Sequence, residues 1–128
     1  MPKPETKFWH ELKRITPQIK WTRIENTSLL GTPDLLGYND FGRFFTVELK
    51  VTKTNKVRLS PHQISFHVRH PVNTFILVKT KTTCHLYPGE QVKELLARGC
   101  SLEPIAYGWK DICSWLEDLG NDDTLAYP

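Results

Sequence analysis

The chain has 128 residues, a net charge of +3, a hydrophobic share of 39% and a charged share of 24%, as in an ordinary soluble globular protein. No apolar run approaches the roughly 18–20 residues needed to span a bilayer, which excludes a transmembrane helix. Residues 1–14 lack the apolar region of a signal peptide. We therefore expect a cytoplasmic protein, including the cytoplasm of a virus-infected host cell.

The charge is unevenly distributed along the chain. Residues 1–70 carry 12 Lys and Arg against 6 Asp and Glu, whereas residues 71–128 carry 5 against 8. A basic surface suits a polyanionic partner, although a solvated charged face is the alternative interpretation. Three cysteines without Cys-x-x-Cys spacing argue against a zinc site. The lack of a glycine-rich phosphate loop argues against a nucleotide cofactor.

Hydrophobic periodicity divides the chain into helices and strands. Phe8, Leu12 and Ile15 share one helical face, and Thr16-Pro17 ends that helix. The predicted elements are a helix over 4–16, strands over 21–25, 29–36 and 44–51, a helix opening at residue 60, strands over 74–78 and 84–87, and helices over 90–98 and 109–119. We predict one α/β domain spanning 1–128, with its core at about 4–119 and a frayed tail at 120–128. Its mixed sheet should have about four to five strands flanked by helices.

Two neighbouring strands present two carboxylates and a lysine. Alternate side chains of a strand share a face, so Glu48 and Lys50 project together, away from the core side that carries Val47 and Leu49. Asp34 offers a second carboxylate from the preceding strand. Two carboxylates suit a hard cation such as Mg²⁺, and a lysine can offset charge that builds up on a phosphate. Taken separately, Asp34 could be a turn residue, and Glu48 with Lys50 an exposed ion pair.

The helix that opens at Ser60 has two interpretations. Ser60-Pro61-His62-Gln63 reads as a capping box with proline in the first turn, which is a complete structural explanation. Helix N-termini also favour phosphates, so Gln63 could act as a cap and as a site residue at once.

Pro33-Asp34 followed by Glu48-Leu49-Lys50 resembles the signature of the PD-(D/E)xK nuclease superfamily. Leu59-Ser60-Pro61-His62-Gln63 is similar to the serine-to-glutamine stretch of its virus-type replication-repair (VRR-Nuc) branch and of related Holliday-junction resolvases of viruses and prokaryotes. The resemblance covers about two thirds of the chain and implies a restriction-endonuclease-like core.

The resemblance implies an Mg²⁺-dependent endodeoxyribonuclease, with Mn²⁺ as a substitute, that hydrolyses phosphodiester bonds. Asp34 and Glu48 would bind the metal together with the Leu49 backbone carbonyl. Lys50 would position the attacking water or stabilise negative charge, and Gln63 would steady the site. Because carboxylates without metal repel each other, at least one raised carboxylate pKa is expected in the metal-free protein.

The resemblance also implies a further metal ligand from the leading helix. Glu11, at the edge of the apolar stripe, is the candidate, and Glu5 and Glu25 are the alternatives. The competing interpretation is that Glu11 pairs with Arg14 or Lys7 on the surface.

DNA is the implied partner, and branched or junction DNA is the expected substrate, as for resolvases of DNA recombination and repair. Such resolvases act as homodimers, so an apolar surface of the leading helix or a sheet edge should form a dimer contact. The helix after Ser60 would present His62, His67, Arg69 and His70 to DNA. The basic residues predicted to bind DNA are Lys13, Arg14, Lys53, Lys56, Arg58, His62 and Arg69.

Three alternatives remain at the sequence level. One is a nuclease for flaps, nicked duplex or single strands, which keeps the chemistry and changes the substrate. Another is a catalytically silent DNA-binding module of the same fold. The third is a structural or inhibitor protein of viral origin, which would leave the motif unexplained.

Overall fold

The computed structural model of the chain describes residues 3–24 and 31–121. None of the helices in these two ranges is long and apolar enough to cross a membrane. The elements are α1 (Pro4–Ile15), β1 (Lys20–Arg23), β2 (Leu35–Tyr38), β3 (Phe44–Val51), α2 (Pro61–Arg69), β4 (Thr74–Lys79), β5 (Cys84–Pro88), α3 (Val92–Arg98), β6 (Ala106–Tyr107) and α4 (Gly108–Asp118), with single 3₁₀ turns at Gly89–Gln91 and Gly99–Ser101.

The strands form one sheet in the order β1-β2-β3-β4-β5-β6. The pairs within the described ranges are antiparallel except β3 with β4, which are parallel and are connected through α2. The predicted mixed α/β sheet is therefore confirmed, with six strands rather than four to five. The additional strand is β6, whose two residues are too few to show a strand periodicity.

Strand β4 has both faces covered, which accounts for its near-continuous apolar sequence. Phe75 and Leu77 pack into a core formed with α1 and α4. Ile76 and Val78 point to the opposite side and pack into a second core with α3, where Leu95 is fully buried. The two cores hold the centre of the sheet rigid between helical layers.

The strand around Asp34 is shorter than predicted. β2 begins at Leu35, so Asp34 lies just before the strand rather than inside it. Pro33 cannot donate to a ladder, and Gly31 has a φ of +82°, a left-handed conformation that an extended strand does not contain. Residues 29–30 of the predicted strand lie outside the described residues, as does Glu25 at the end of the first one.

Asn39 fixes the turn between β2 and β3. Its side-chain Nδ2 donates to the carbonyl oxygens of Leu116 and Leu119 at the end of α4, at 2.9 and 2.7 Å. Its Oδ1 accepts from the backbone N–H groups of Phe41 and Arg43. This buried amide is thus fully hydrogen-bonded, and it ties the hairpin, whose register positions Asp34, to the C-terminal end of α4.

Candidate active site

The β2–β3 register brings the carboxylates together. Leu35 lies opposite Val47 in this antiparallel pair, and continuing the register by one residue places Asp34 opposite Glu48. Opposite residues of antiparallel strands share a face of the sheet. Asp34 is held there because its Oδ2 accepts a hydrogen bond of 2.8 Å from the Leu49 backbone N–H.

Gln63 connects the helix α2 to both charged residues of β3. Its Nε2 donates to Glu48 Oε2 at 3.0 Å, and its Oε1 accepts from Lys50 Nζ at 3.3 Å. The same Oε1 accepts from the Ser60 backbone N–H at 2.9 Å, while the Gln63 backbone N–H donates to Ser60 Oγ at 3.2 Å. The predicted capping box is therefore confirmed, and the capping side chain also contacts Glu48 and Lys50.

Glu48 is the most perturbed acid of the site. It is only 3% exposed, and its pKa is raised to about 9, first by burial and then by the nearby charge of Asp34. The Lys50 charge lowers the pKa of Glu48, and the Glu5 charge raises it further. The expectation of a raised carboxylate pKa is thus confirmed. Within the described residues, Glu48 Oε1 is buried without a hydrogen-bond partner.

The residues present fit a divalent cation with few protein ligands. An unpartnered buried carboxylate oxygen beside a second carboxylate is a donor set for a hard cation. Residues 3–24 and 31–121 contain no cluster of three or more His, Cys, Asp or Glu side chains arranged to hold a metal. Such a donor set would leave most coordination positions of a hard divalent cation to water.

The leading helix places Glu5, rather than Glu11, in a groove that also contains Lys50. Glu11 Oε1 forms an ion pair of 2.9 Å with Lys79 Nζ on β4. Neither its predicted place beside Glu48 nor the alternative pairing within the helix is observed. Glu5 lies about 9 Å from Glu11 along the helix axis, at ~1.5 Å per residue. The charge of Glu5 contributes to the raised pKa of Glu48. The other alternative, Glu25, lies outside the described residues.

The loop between β3 and α2 carries a basic groove beside the site. The exposed side chains of Lys53, Lys56 and Arg58 line a groove of about 550 Å³ that also contains Lys50 and Glu5. Three of the residues predicted to bind DNA therefore share a groove with Lys50.

The other predicted DNA-binding residues lie outside the lining of that groove. His62 and Arg69 are exposed on α2, and Lys13 and Arg14 are exposed in the last turn of α1. At ~1.5 Å per residue, Lys13 is about 12 Å from Glu5 along the helix axis.

His67 does not face solvent, so its predicted place on a DNA-facing surface is wrong. It is 1% exposed, because it lies one helical turn after Gln63 on the face of α2 that packs against α3 and the turn at Gly89–Gln91. Burial, and secondarily the charge of His70, lower its pKa to about 4. A histidine between Phe66 and Val68 gave no sequence signal that could distinguish the buried face from the exposed one.

The anchors of the basic loop were not predicted. Val57 is 6% exposed and packs into the core on the α3 side. The Asn55 carbonyl accepts a hydrogen bond of 2.7 Å from the Cys100 N–H. Val57 is a single apolar residue in a polar, basic stretch, and this pattern could have indicated its burial. The hydrogen bond of Asn55 could not be predicted locally, because its partner Cys100 is far away in the sequence.

The comparisons with known proteins identify a fold. No protein-family model matches this chain, and no curated protein matches its sequence. The arrangement of the sheet and helices is the restriction-endonuclease-like fold, which confirms the predicted core. It is similar to the structure, solved at 1.6 Å resolution, of Hjc, a Holliday junction resolvase from the archaeal hyperthermophile Archaeoglobus fulgidus. The TM-score is 0.56 at 16% sequence identity, over 70% of this chain and 75% of that one, a likeness of fold alone.

Proposed function

We propose that this protein is a divalent-metal-dependent endodeoxyribonuclease that acts on branched DNA. The observation that carries the proposal is the buried Glu48 Oε1, which has no hydrogen-bond partner among the described residues and lies next to Asp34. A buried polar oxygen without a partner is destabilising, and a cation that completes the site would offset this. Lys50 and Gln63 surround the carboxylates with the polar groups that phosphodiester hydrolysis needs.

The proposed metal ligands are Asp34, Glu48 and the Leu49 backbone carbonyl, with Mg²⁺ as the cation and Mn²⁺ as a substitute. A bound cation would act as a Lewis acid on the phosphate and would lower the pKa of the attacking water. Glu48 releases its proton when it becomes a ligand, because the neutral carboxyl is a poor one. Asp34 keeps its position through its hydrogen bond to the Leu49 N–H.

Lys50 and Gln63 have complementary roles in this proposal. The Lys50 ammonium, held by Gln63 Oε1, orients the attacking water or offsets negative charge on the phosphate. Gln63 Nε2 orients Glu48 through Oε2 and leaves Oε1 free for the cation. Glu5 replaces Glu11 as the proposed contribution of the leading helix, since Glu11 is paired with Lys79.

The proposed DNA contacts surround the site at increasing distance. Lys53, Lys56 and Arg58 contact phosphates close to the cut. His62 and Arg69 extend this surface along α2, and the distant Lys13 and Arg14 contact a more remote arm of a branched substrate.

Selectivity for four-way junctions and assembly as a homodimer are proposed from the fold. The similar Archaeoglobus protein is a Holliday junction resolvase, and the Leu59–Gln63 resemblance to the VRR-Nuc branch supports the same substrate class. The apolar residues of α1, including Phe8 and Leu12, are buried in the core. A dimer contact is therefore proposed at a sheet edge, where β1 and β6 each have an unpaired side among the described strands.

A cleavage assay on end-labelled DNA tests the proposed function. The substrates are a four-way junction, a flap, a nicked duplex, a linear duplex and a single strand of matched sequence, each with Mg²⁺, Mn²⁺ or EDTA. Asp34→Asn is the control, because it removes one carboxylate charge and keeps the side-chain size. Paired symmetric nicks in the junction, absent from the EDTA and Asp34→Asn reactions, are the expected result.

The other outcomes separate the alternatives. Equal cleavage of flap or single strand would retain the nuclease chemistry and reject the junction preference. Binding of the junction without cleavage in either metal, together with no calorimetric signal for metal binding, would indicate a silent DNA-binding module. Neither binding nor cleavage would overturn the proposed function.

A further inference from the structure

The ends of β3 and β4 place two turns side by side. The strands are parallel, with Val51 opposite Lys79, and the Thr52 N–H continues the ladder by donating to the Lys79 carbonyl oxygen at 2.9 Å. The carboxyl ends of parallel neighbours lie at the same edge of a sheet. The segment 52–56 after β3 and the turn 80–83 after β4 therefore emerge next to each other.

Both segments are shaped by threonine side chains that bond the main chain. Thr52 Oγ1 accepts from the Thr54 N–H at 3.1 Å, and Thr54 Oγ1 accepts from the Lys56 N–H at 3.1 Å. In the second turn, Thr80 Oγ1 accepts from the N–H groups of Thr82 and Thr83 at 3.4 and 3.3 Å. These local bonds give both turns a defined backbone, from which the intervening lysines project outward.

The lysines of the two turns carry uncompensated charge. Lys53, Lys56 and Lys81 are exposed, and none forms an ion pair with a carboxylate in the described part of the chain. A groove of about 250 Å³ lies between the turns and is lined by Lys53, Thr54, Asn55, Thr80, Lys81 and Thr82. The lining contains no acidic residue. It shares Lys53 and Thr54 with the larger groove that reaches Lys50.

We propose that the DNA strand being cut runs from Lys50 across Lys53 into this second groove. There Lys81, with the hydroxyl and amide groups of Thr80, Thr82 and Asn55, contacts phosphates on one side of the scissile phosphate. Lysine, threonine and asparagine side chains are typical phosphate and sugar ligands, and an uncompensated lysine gains affinity by releasing counterions. The inference rests on the proposed function and adds to it the path of the bound strand.

The salt dependence of binding tests the path without any cleavage. We would measure fluorescence anisotropy of the labelled junction and single strand in EDTA at several salt concentrations, for the unmodified protein, Lys81→Gln and Lys93→Gln. Lys93 is the matched control, because it is an exposed lysine in the first turn of α3, beyond Pro88, which lies opposite Phe75 at the start of β4, whereas Lys81 follows the carboxyl end of β4. The slope of log K against log salt should be smaller by about 0.7–0.9 for Lys81→Gln alone. Equal slopes for the two variants would overturn the inference.

Ethylation of single phosphates tests whether the contacts of the second groove lie on one side of the cut. Ethylating phosphates on one side of the mapped cut should weaken binding to the unmodified protein and should have a reduced effect on Lys81→Gln. Interference that is symmetric about the cut, or unchanged in Lys81→Gln, would reject the proposed path while leaving the nuclease proposal intact. If the unmodified protein binds no DNA, the nuclease proposal and this inference both fail.

Discussion

Glu48 is the residue whose protonation controls the candidate site. Its pKa of about 9 results from burial and from Asp34, and the Lys50 charge only partly opposes them. The metal-free carboxyl therefore keeps its proton near neutral pH. A cation that binds there must displace that proton, so metal affinity should rise with pH until Glu48 is ionised.

The same pKa makes the stability of the metal-free protein depend on pH. The folded pKa of about 9 lies above the ordinary value of 4.5, so the contribution of Glu48 to the free energy of unfolding is present below pH 4.5 and is lost as the pH rises toward 9. As the pH rises from 5 to 8, the free energy of unfolding of Glu48→Gln should increase relative to that of the unmodified protein. Urea unfolding in EDTA measures the difference, and Glu103→Gln on the surface is the control. A difference that does not change with pH would contradict this assignment.

His67 makes the stability of the protein depend on pH in the opposite direction. Its pKa is lowered to about 4 from the ordinary 6.5, so its contribution to the free energy of unfolding is present above pH 6.5 and is lost as the pH falls toward 4. We expect His67→Gln to lose less stability than the unmodified protein over that interval. Denaturant unfolding at both pH values provides the measurement, and the exposed His10→Gln should keep the full loss. Identical losses in both variants would rule out His67 as the source.

At the scale of elements, the first turn of α2 both caps the helix and orders the site. Ser60 participates only in the cap, whereas Gln63 also contacts Glu48 and Lys50. Ser60→Ala should lower the free energy of unfolding by about 1 kcal/mol and leave cleavage by the folded protein nearly unchanged. Gln63→Ala should lose a similar stability and also reduce cleavage roughly 10- to 100-fold, as for residues that orient metal ligands.

Chemical unfolding and single-turnover cleavage distinguish the two roles of this turn. Both variants have to be assayed well below their melting temperatures, so that the folded fraction is equal. If Ser60→Ala and Gln63→Ala reduce cleavage by the same factor, the contact of Gln63 with Glu48 is only a consequence of capping.

At the scale of the whole molecule, a bound cation should stabilise the folded state by mass action. Tenfold excess of Mg²⁺ over its Kd corresponds to about 1.4 kcal/mol, or roughly 5 °C in Tm for a domain of this size. A thermal scan at matched ionic strength measures the shift against NaCl. Asp34→Asn should abolish the shift, and Asp40→Asn, in the neighbouring turn, should retain it. An equal shift in both variants would indicate non-specific screening instead of a metal site.

Local sequence was sufficient for most elements and for the central constellation. β3 spans Phe44–Val51, as its alternation predicted, and the Ser60–Gln63 capping box forms as read. Both depend on neighbouring residues in one segment. β6 and the start of β2 were less predictable, because a two-residue strand exists only through its partner, and because Gly31 and Pro33 interrupt an otherwise apolar run.

The sequence by itself determined most of the helices and strands, the basic N-terminal half and the choice of Asp34, Glu48 and Lys50 as candidate site residues, because periodicity, capping and composition are local properties. Only the tertiary structure decided which glutamate of α1 shares a groove with Lys50, since the packing of Phe8 and Leu12 sets the rotation of that helix. It also decided the burial of Glu48 and His67 and the meeting of the two lysine-bearing turns. Burial and strand register depend on residues far apart in the chain, and no local pattern encodes them.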